Sequence, residues 1–419
     1  LRPLVRPDRL PQGLRAQALL QARRGEHAAA LERVQLLLGL CDQVAVPRRD
    51  QGAYEVLRAY CLAGLERWPD ALAVLEAQRA DQQGTQGELL EAIIGTVQAL
   101  RALHQGSAQA ADLCARVMVR CAELHFNRFL LPLPEAAARL IEVGLDQGVV
   151  PEFLAAAVHD RRLQPADPTR EDWPWRLKVE VLGPLRLWRD GVALSGAGAA
   201  KAQRKPLELL RLLAAHGGGP MPQEAVIDEL WPSLEADAPK ASFEMAVSRL
   251  RKLLGLPDLV RVADGQVMLD AGRCWIDAVA FERLCQRGDA ASLHRALAIY
   301  RAPLLAGQAL GGRMRTARER LALRHEQAVR ERTQALLAGG DAEPAVALLR
   351  SALVHDPLAE TLHRGLIEAL ALQGERAEAL ACYRRLCDVL RSSLGIGPSA
   401  PTERLVAAIR RGEFFARPS

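Results

Sequence analysis

The hydrophobic pattern of this chain changes period twice, and the two changes restrict the folds that it can adopt. Apolar residues recur with a helical period from residue 12 to about 160, they alternate with polar residues over 177–194, and the helical period then returns. Three prolines in the polar stretch 165–176 end helices and predict a linker at the first change. We therefore expect several domains, in agreement with a length of 419 residues.

The first domain, 1–164, is predicted to be an array of helical repeats. A glycine precedes an alanine and a leucine at intervals of about forty residues, as at Gly25 before Ala30, Gly64 before Ala71 and Gly106 before Ala111. A period of this length is typical of α-solenoids built from helix pairs. Such arrays often bind a partner on their concave surface, but an array can also act only as a spacer. Both functions remain open for this domain.

The second domain, 177–272, is predicted to be a winged helix. Its short alternating stretches contain a tight-turn signal at Asp190-Gly191, and a final hairpin turns at Asp264-Gly265. Between them lie three helical segments, at 201–216, 223–231 and 238–254. A small sheet, three helices and a hairpin in this order are typical of winged-helix modules, which bind DNA.

The third helical segment has two chemically different sides. Its apolar stripe is spaced i, i+4, i+7 and i+11, which predicts burial of Phe243, Val247, Leu250 and Leu254. The opposite, polar side contains Lys240, Glu244, Ser248, Arg249, Arg251 and Lys252. Side chains of these types read bases in the major groove, although a polar helix face is more often simply solvated. We interpret this side as a DNA-recognition face.

Other polar residues are predicted to contact the phosphates of DNA. A basic cluster opens the first helix of the module, and two polar residues lie on the hairpin: Lys201, Arg204, Lys205, Arg261 and Gln266. The net charge of +5 is small for this length, so the prediction of DNA binding depends on these local clusters.

The third domain, 273–411, is predicted to be a second helical array. Residues from Gly340 onward align with residues from Gly374 onward at a shift of 34, with Ala345 on Ala379. This is the period of tetratricopeptide helix pairs. The chain is therefore expected to be mostly α, with tetratricopeptide-like α-solenoids flanking a winged helix that has small antiparallel sheets. An aromatic content of only 4% also favours helix-on-helix packing.

The sequence contains no candidate for catalysis. None of the eight cysteines forms a Cys-x-x-Cys pair, and the histidines lack the spacing of a metal site. The glycine-rich segment 195–201 has the wrong spacing for a phosphate-binding loop. No apolar run is long enough to span a membrane. We therefore predict a reduced, cytoplasmic protein that is not an enzyme, with no metal and no cofactor.

Residues 177–410 resemble the antibiotic-regulatory-protein family of bacterial activators, in which an OmpR-type winged helix precedes a helical bacterial transcriptional activation domain. The matching segments in the winged helix are Lys205-Pro206-Leu207-Glu208-Leu209-Leu210, Glu229-Leu230-Trp231-Pro232 and Ala246-Val247-Ser248-Arg249-Leu250-Arg251-Lys252-Leu253-Leu254-Gly255. Those that follow it are Asp277 with Phe281-Glu282, Ala298-Ile299-Tyr300-Arg301, Leu304-Leu305-Ala306-Gly307, Asp356-Pro357-Leu358 with Glu360, His363-Arg364, Tyr383-Arg384, Leu394-Gly395 and Pro398-Ser399.

The resemblance implies binding to double-stranded promoter DNA as a homodimer or as a side-by-side pair on direct repeats. It also implies activation by contact with RNA polymerase through the loop between the second and third helices, which comprises Pro232, Ser233, Leu234, Glu235, Ala236 and Asp237. Large activators of this kind carry an ATPase before a helical array. Because the chain begins at Leu1, we expect an upstream regulatory domain that is missing here.

The sequence departs from the family pattern in one place. The third helix has Phe243-Glu244-Met245 near its start, so a base preference cannot be carried over from the family. The alternative function is a protein-interaction scaffold, in which the winged helix is a docking module without DNA binding.

Overall fold

A computed structural model describes residues 10–79, 84–194, 204–232 and 238–413. Its contacts divide the chain into two compact units, Leu1–Pro174 and Trp175–Ser419. The predicted fold class is confirmed, since helices dominate and the strands form two small sheets. All eight cysteines are unbridged and seven are buried, as expected for small core residues. Among the described residues, no helix has both the length and the hydropathy needed to cross a bilayer.

The first unit is a stack of antiparallel helices in which each helix packs on the next. The helices are α1 (Leu10–Arg23), α2 (His27–Gln43), α3 (Arg48–Gly64), α4 (Trp68–Ala77), α5 (Thr85–His104), α6 (Ala110–Glu123), α7 (Pro134–Asp146) and α8 (Pro151–Arg161). Gly25 and Gly106 follow α1 and α5 with positive φ, as residues that end helices often do. Gly64 instead lies inside the last turn of α3, where a Cβ atom would be 2.7 Å from the His27 ring. Its role is therefore close helix packing.

The segment after α8 has no regular secondary structure but is closely packed within the first unit. Leu163 and Trp173 are buried. Arg170 forms ion pairs with Asp146 of α7 and with Asp172. The proline-rich stretch that was expected to be a linker is therefore held in place as far as Pro174.

The second unit begins with the elements of the winged helix. These are β1 (Leu177–Glu180), β2 (Arg186–Arg189), β3 (Val192–Ala193), α9 (Arg204–Ala215), β4 (Met221–Pro222), α10 (Gln223–Leu230), α11 (Ala238–Leu254), β5 (Val260–Ala263), β6 (Gln266–Leu269) and β7 (Cys274–Ile276). It continues with α12 (Asp277–Arg287), α13 (Ala290–Ile299), α14 (Gly312–Ala338), α15 (Ala342–His355), α16 (Glu360–Leu372), α17 (Arg376–Leu394) and α18 (Ala400–Arg411).

The first sheet has the strand order β3-β2-β1-β7. Strands β1 to β3 are antiparallel, and Asp190 and Gly191 both have positive φ in the predicted tight turn. Strand β7 lies parallel to β1, so this sheet is mixed, and sequence analysis had not identified β7. The strand returns the chain from the hairpin to the N-terminal sheet and delivers it directly into α12.

The second sheet has the order β4-β6-β5 and contains the predicted hairpin. Asp264 and Gly265 adopt positive φ at its tip, which is the geometry of a type I′ turn. Helices α9, α10 and α11 pack together beside this sheet. The predicted apolar stripe of α11 faces this core, because Phe243, Val247 and Leu250 are all at most 4% exposed.

The second helical array shows the predicted 34-residue repeat in its geometry. Gly340 and Gly374 both have φ of +85° and both follow a helix end. Ala345 and Ala379, which align at this shift, are both fully buried. Helices α14 to α18 share one apolar core.

A buried histidine in this array predicts a loss of stability in acid. His325 of α14 stacks on Tyr300 at 3.9 Å between ring centroids, and burial, with a smaller effect of His355, lowers its pKa from 6.5 to about 4. As the pH falls, the unfolded chain therefore binds a proton at this residue at a higher pH than the folded chain does. The free energy of unfolding should fall by about 3 kcal/mol between pH 7 and pH 4 because of this residue.

Urea unfolding at both pH values tests this prediction with two variants. His325→Phe retains a ring against Tyr300 and should remove most of that loss, whereas His294→Gln, at an exposed histidine, should leave it unchanged. An equal pH dependence in the parent and in His325→Phe would contradict the prediction.

Candidate nucleic-acid interface

Helix α11 presents a continuous exposed face along its whole length. The face consists of two adjacent columns, and within each column the residues are four positions apart. One column contains Lys240, Glu244, Ser248 and Lys252, and the other contains Ala241, Met245 and Arg249. Three cations against one carboxylate give the face a formal charge of +2. The buried stripe fixes the rotation of the helix, so these side chains point away from the core. The recognition face predicted from sequence is thus exposed, with one exception.

The exception is Arg251, which is half-buried and holds α11 to the hairpin. Its Nε and Nη2 atoms donate hydrogen bonds to the carbonyl oxygen of Val260 at 3.1 and 2.7 Å. The prediction that grouped Arg251 with the exposed face is therefore corrected. The guanidinium supports the orientation of the helix relative to β5.

Met245 is a residue of this face that sequence analysis did not select. Its side chain is 52% exposed and lies between Ala241 and Arg249 in the second column. Single exposed apolar residues are common in soluble proteins. Here, however, the thioether lies at the middle of a polar face, where apolar side chains can contact a thymine methyl group. Helical spacing from Arg249 would have identified the residue.

The C-terminal end of α11 is capped by the first sheet. Gly255 has φ of +64° and lies against the guanidinium of Arg189, where a Cβ atom would overlap with Nη1. The same nitrogen donates a hydrogen bond to the carbonyl oxygen of Leu254 at 3.3 Å. The strand β2 therefore supplies a cation to the negative end of the helix dipole.

The hairpin carries its two predicted contact residues on one face. Arg261 pairs with Met268 and Ala263 with Gln266, and residues paired directly across strands point to the same side. Arg261 and Gln266 are both exposed, while Val260 and Val267 on the other side are fully buried. This arrangement is suited to a wing whose outer face contacts phosphates.

Arg204 and Lys205, the two described residues of the basic cluster of α9, differ in their contacts. Arg204 is 78% exposed and pairs with Glu208 at 3.0 Å, an interaction that contributes little at a surface. Lys205 donates a hydrogen bond from Nζ to the carbonyl oxygen of Leu230 at 2.6 Å and lies over the Trp231 ring. Lys205 therefore links α9 to α10 rather than projecting freely, and Lys201 lies outside the described residues.

The predicted polymerase loop lies mostly outside the described residues. Pro232 is described and exposed, whereas Ser233, Leu234, Glu235, Ala236 and Asp237 are not described. Just before this loop, Glu229 accepts a hydrogen bond at 3.1 Å from the backbone nitrogen of Arg313, in the first turn of α14. The end of α10 is thereby joined to the second helical array.

A buried carboxylate makes a second connection between the winged helix and the helices that follow it. Asp277, at the start of α12, accepts hydrogen bonds from the backbone nitrogens of Val181, Leu182 and Ala278 at 2.8 to 3.0 Å. Arg301 bridges Asp277 and Glu180, and the latter also pairs with Arg186 at 2.9 Å. Burial raises the pKa of Asp277 to about 7, while the backbone donors and Arg301 oppose that rise.

The described residues offer no group of three or more His, Cys, Asp or Glu side chains that could hold a metal ion. The glycine-rich segment 195–201 lies outside the described residues. The exposed cationic and polar side chains on α11 and on the hairpin are suited to binding a polyanion.

This chain is similar to known bacterial regulatory proteins. Residues 276–410 match the family described as "Bacterial transcriptional activator domain". The regulatory protein AfsR of Streptomyces coelicolor is 31% identical over 261 residues, which cover 60% of this chain and 26% of AfsR. DnrI of Streptomyces peucetius is 26% identical over 57% of this chain and 93% of DnrI. The transcriptional regulatory protein EmbR of Mycobacterium tuberculosis is 29% identical over 55% of this chain and 62% of EmbR.

The chain thus spans about a quarter of AfsR and less than two thirds of EmbR. The matched domain coincides with α12 to α18, which follow the winged helix without interruption. The matches therefore identify a bacterial transcriptional activator domain at residues 276–410, in a chain that is similar to regulatory proteins of Streptomyces and Mycobacterium.

Proposed function

We propose that this chain is a cytoplasmic, sequence-specific DNA-binding transcription activator. In this proposal the exposed face of α11 enters the major groove and reads bases, while Arg204, Arg261 and Gln266 contact the phosphates on either side. The chain binds two direct repeats as a side-by-side pair. The loop 232–237 and the activator domain then contact RNA polymerase.

The observation that carries the proposal is the exposed, net positive face of α11, a helix whose C-terminal end is held by two contacts outside the helix. Arg251 fixes α11 to the hairpin, and Arg189 caps its C-terminal end. A rigid support of this kind lowers the entropy cost of placing several side chains against base edges at once. The hydrogen bond between Glu229 and the start of α14 supports a polymerase-contacting role for the neighbouring loop, because it joins the end of α10 to the activator domain.

Selection from random duplex DNA with the full chain tests the DNA-binding part of this proposal. We expect enrichment of a directly repeated motif, and no enrichment by a variant with Ala at Lys240, Arg249 and Lys252. Transcription in vitro from a template that carries the enriched motif upstream of a promoter should then increase when the chain is added. If the folded parent protein enriches no sequence, the proposal is wrong and the scaffold function gains support.

A further inference from the structure

The first unit contains a cavity of about 510 Å³ that no part of the DNA-binding proposal uses. Its walls come from α1, α3 and α5, which are the first helices of three successive helix pairs, from Gln78 directly after α4, and from the segment between α6 and α7. It is therefore part of the inner surface of the helical stack, where arrays of this type commonly bind ligands. A volume between 300 and 1,000 Å³ is typical of sites for small organic molecules.

The floor of this cavity is apolar and only partly covered by the protein. Leu57, Leu90 and Ile93 are buried at its base, whereas Leu19 and Leu89 on its walls are only half-buried. Apolar surface left against water gains free energy when a ligand covers it. The floor is therefore suited to an apolar molecular body.

The cavity has few polar groups, and its cationic side chains outnumber its acidic ones. Arg15 of α1 and Arg128 of the segment after α6 are both exposed and approach from different walls, while Asp50 is the single acid in the described lining. Within the described residues, the buried Oε1 of Gln78 has no hydrogen-bond partner. The carboxamide can therefore turn toward a ligand donor without breaking a bond at that oxygen. Two guanidinium groups at the rim favour an anionic head group.

From these features we propose that the cavity binds a small organic anion, with an apolar body on the floor, an acidic group between Arg15 and Arg128, and a hydrogen-bond donor toward Gln78. The site lies within the first unit, whereas α11 belongs to the second. It makes the helical array a ligand-binding domain rather than a spacer.

A pair of fluorescent probes separates the contributions of charge and of apolar contact. 8-Anilino-1-naphthalenesulfonate has an aromatic body, an N–H donor and a sulfonate, and N-phenyl-1-naphthylamine has the same body and donor without the sulfonate. Titration of the full chain with each probe should give one bound molecule per chain and a lower Kd for the sulfonate. The double variant Arg15→Gln with Arg128→Gln should raise the Kd of the sulfonate about tenfold and leave that of the neutral probe within about twofold.

Filling the cavity provides the second arm of the test. Leu89→Trp replaces an isobutyl group of the half-buried wall by an indole ring and should abolish binding of both probes. Leu20→Trp, at an exposed position of α1 outside the cavity, and Arg101→Gln, at an exposed position of α5, should change neither Kd. If Leu89→Trp leaves both Kd values unchanged, or if the arginine variant changes both probes equally, the proposed site is wrong.

Discussion

Replacement of Asp277 by alanine should lower the free energy of unfolding of the second unit by about 3 to 5 kcal/mol. The substitution leaves the backbone nitrogens of Val181 and Leu182 without their acceptor inside the protein. It also leaves Arg301 with Glu180 as its remaining carboxylate partner at this junction. Asp277→Asn should recover part of the loss, because its single carbonyl oxygen can accept from Val181 and Leu182, as Oδ2 of the aspartate does.

Urea unfolding followed by tryptophan fluorescence measures this effect, since four of the six tryptophans (Trp175, Trp188, Trp231 and Trp275) lie in the second unit. The measurement belongs at pH 8, above the raised pKa of Asp277, so that the carboxylate is ionised. Asp228→Ala, at an exposed position of α10, should change the free energy of unfolding by no more than about 0.5 kcal/mol. If Asp277→Ala proved as mild as this control, the carboxylate would not be the group that joins β1 to α12.

The elements that could be predicted from sequence are those whose signals are local. Helix α11 has the predicted bounds, and its end signals are local: Pro239 lies in its first turn and Gly255 directly follows its last residue. The turns at Asp190-Gly191 and Asp264-Gly265 were predicted for the same reason, since two adjacent residues supply the positive φ values that a type I′ turn requires.

The features that sequence analysis missed depend on residues far apart in the chain. Strand β7 has three residues, too few to show a period, and it forms because β1 offers a free edge almost a hundred residues earlier. The hydrogen bonds of Asp277 to Val181 span 96 positions. Whether a basic residue on a helix is free or bound to a distant carbonyl group, as Arg251 is to Val260, is likewise decided by tertiary packing.

Substitution of the exposed face of α11 should have the largest effect on DNA recognition, and it should differ in kind from substitution of the flanking residues. Replacing Lys240, Arg249 and Lys252 together by alanine should weaken binding to the selected motif about 100-fold, from roughly 1 kcal/mol for each lost contact. Arg204→Ala or Arg261→Ala should instead weaken binding to all sequences equally. Each should also lower the slope of log K against log salt by about one.

The exposed thioether of Met245 allows a sharper version of the same measurement. Exchange of single thymines for uracils in the selected motif removes a methyl group and changes nothing else in the base pair. At a position contacted by Met245, this exchange should weaken binding by the parent about threefold to tenfold and should leave binding by Met245→Ala unchanged. Sensitivity of both proteins to every exchange would mean that DNA shape, not the side chain, senses the methyl groups.

Arg251→Ala is the matched control for the whole series, because it removes a cation from the same helix without removing a member of its exposed face. Its expected effect is a lower free energy of unfolding, since the carbonyl oxygen of Val260 loses two hydrogen bonds, with the base preference of the folded protein retained. Binding titrations across all single-base changes of the motif distinguish the two classes of variant. If the triple variant, Arg204→Ala and Arg251→Ala all reduced affinity uniformly and left the ranking of sequences intact, α11 would be a backbone-contacting helix and the sequence would be read elsewhere.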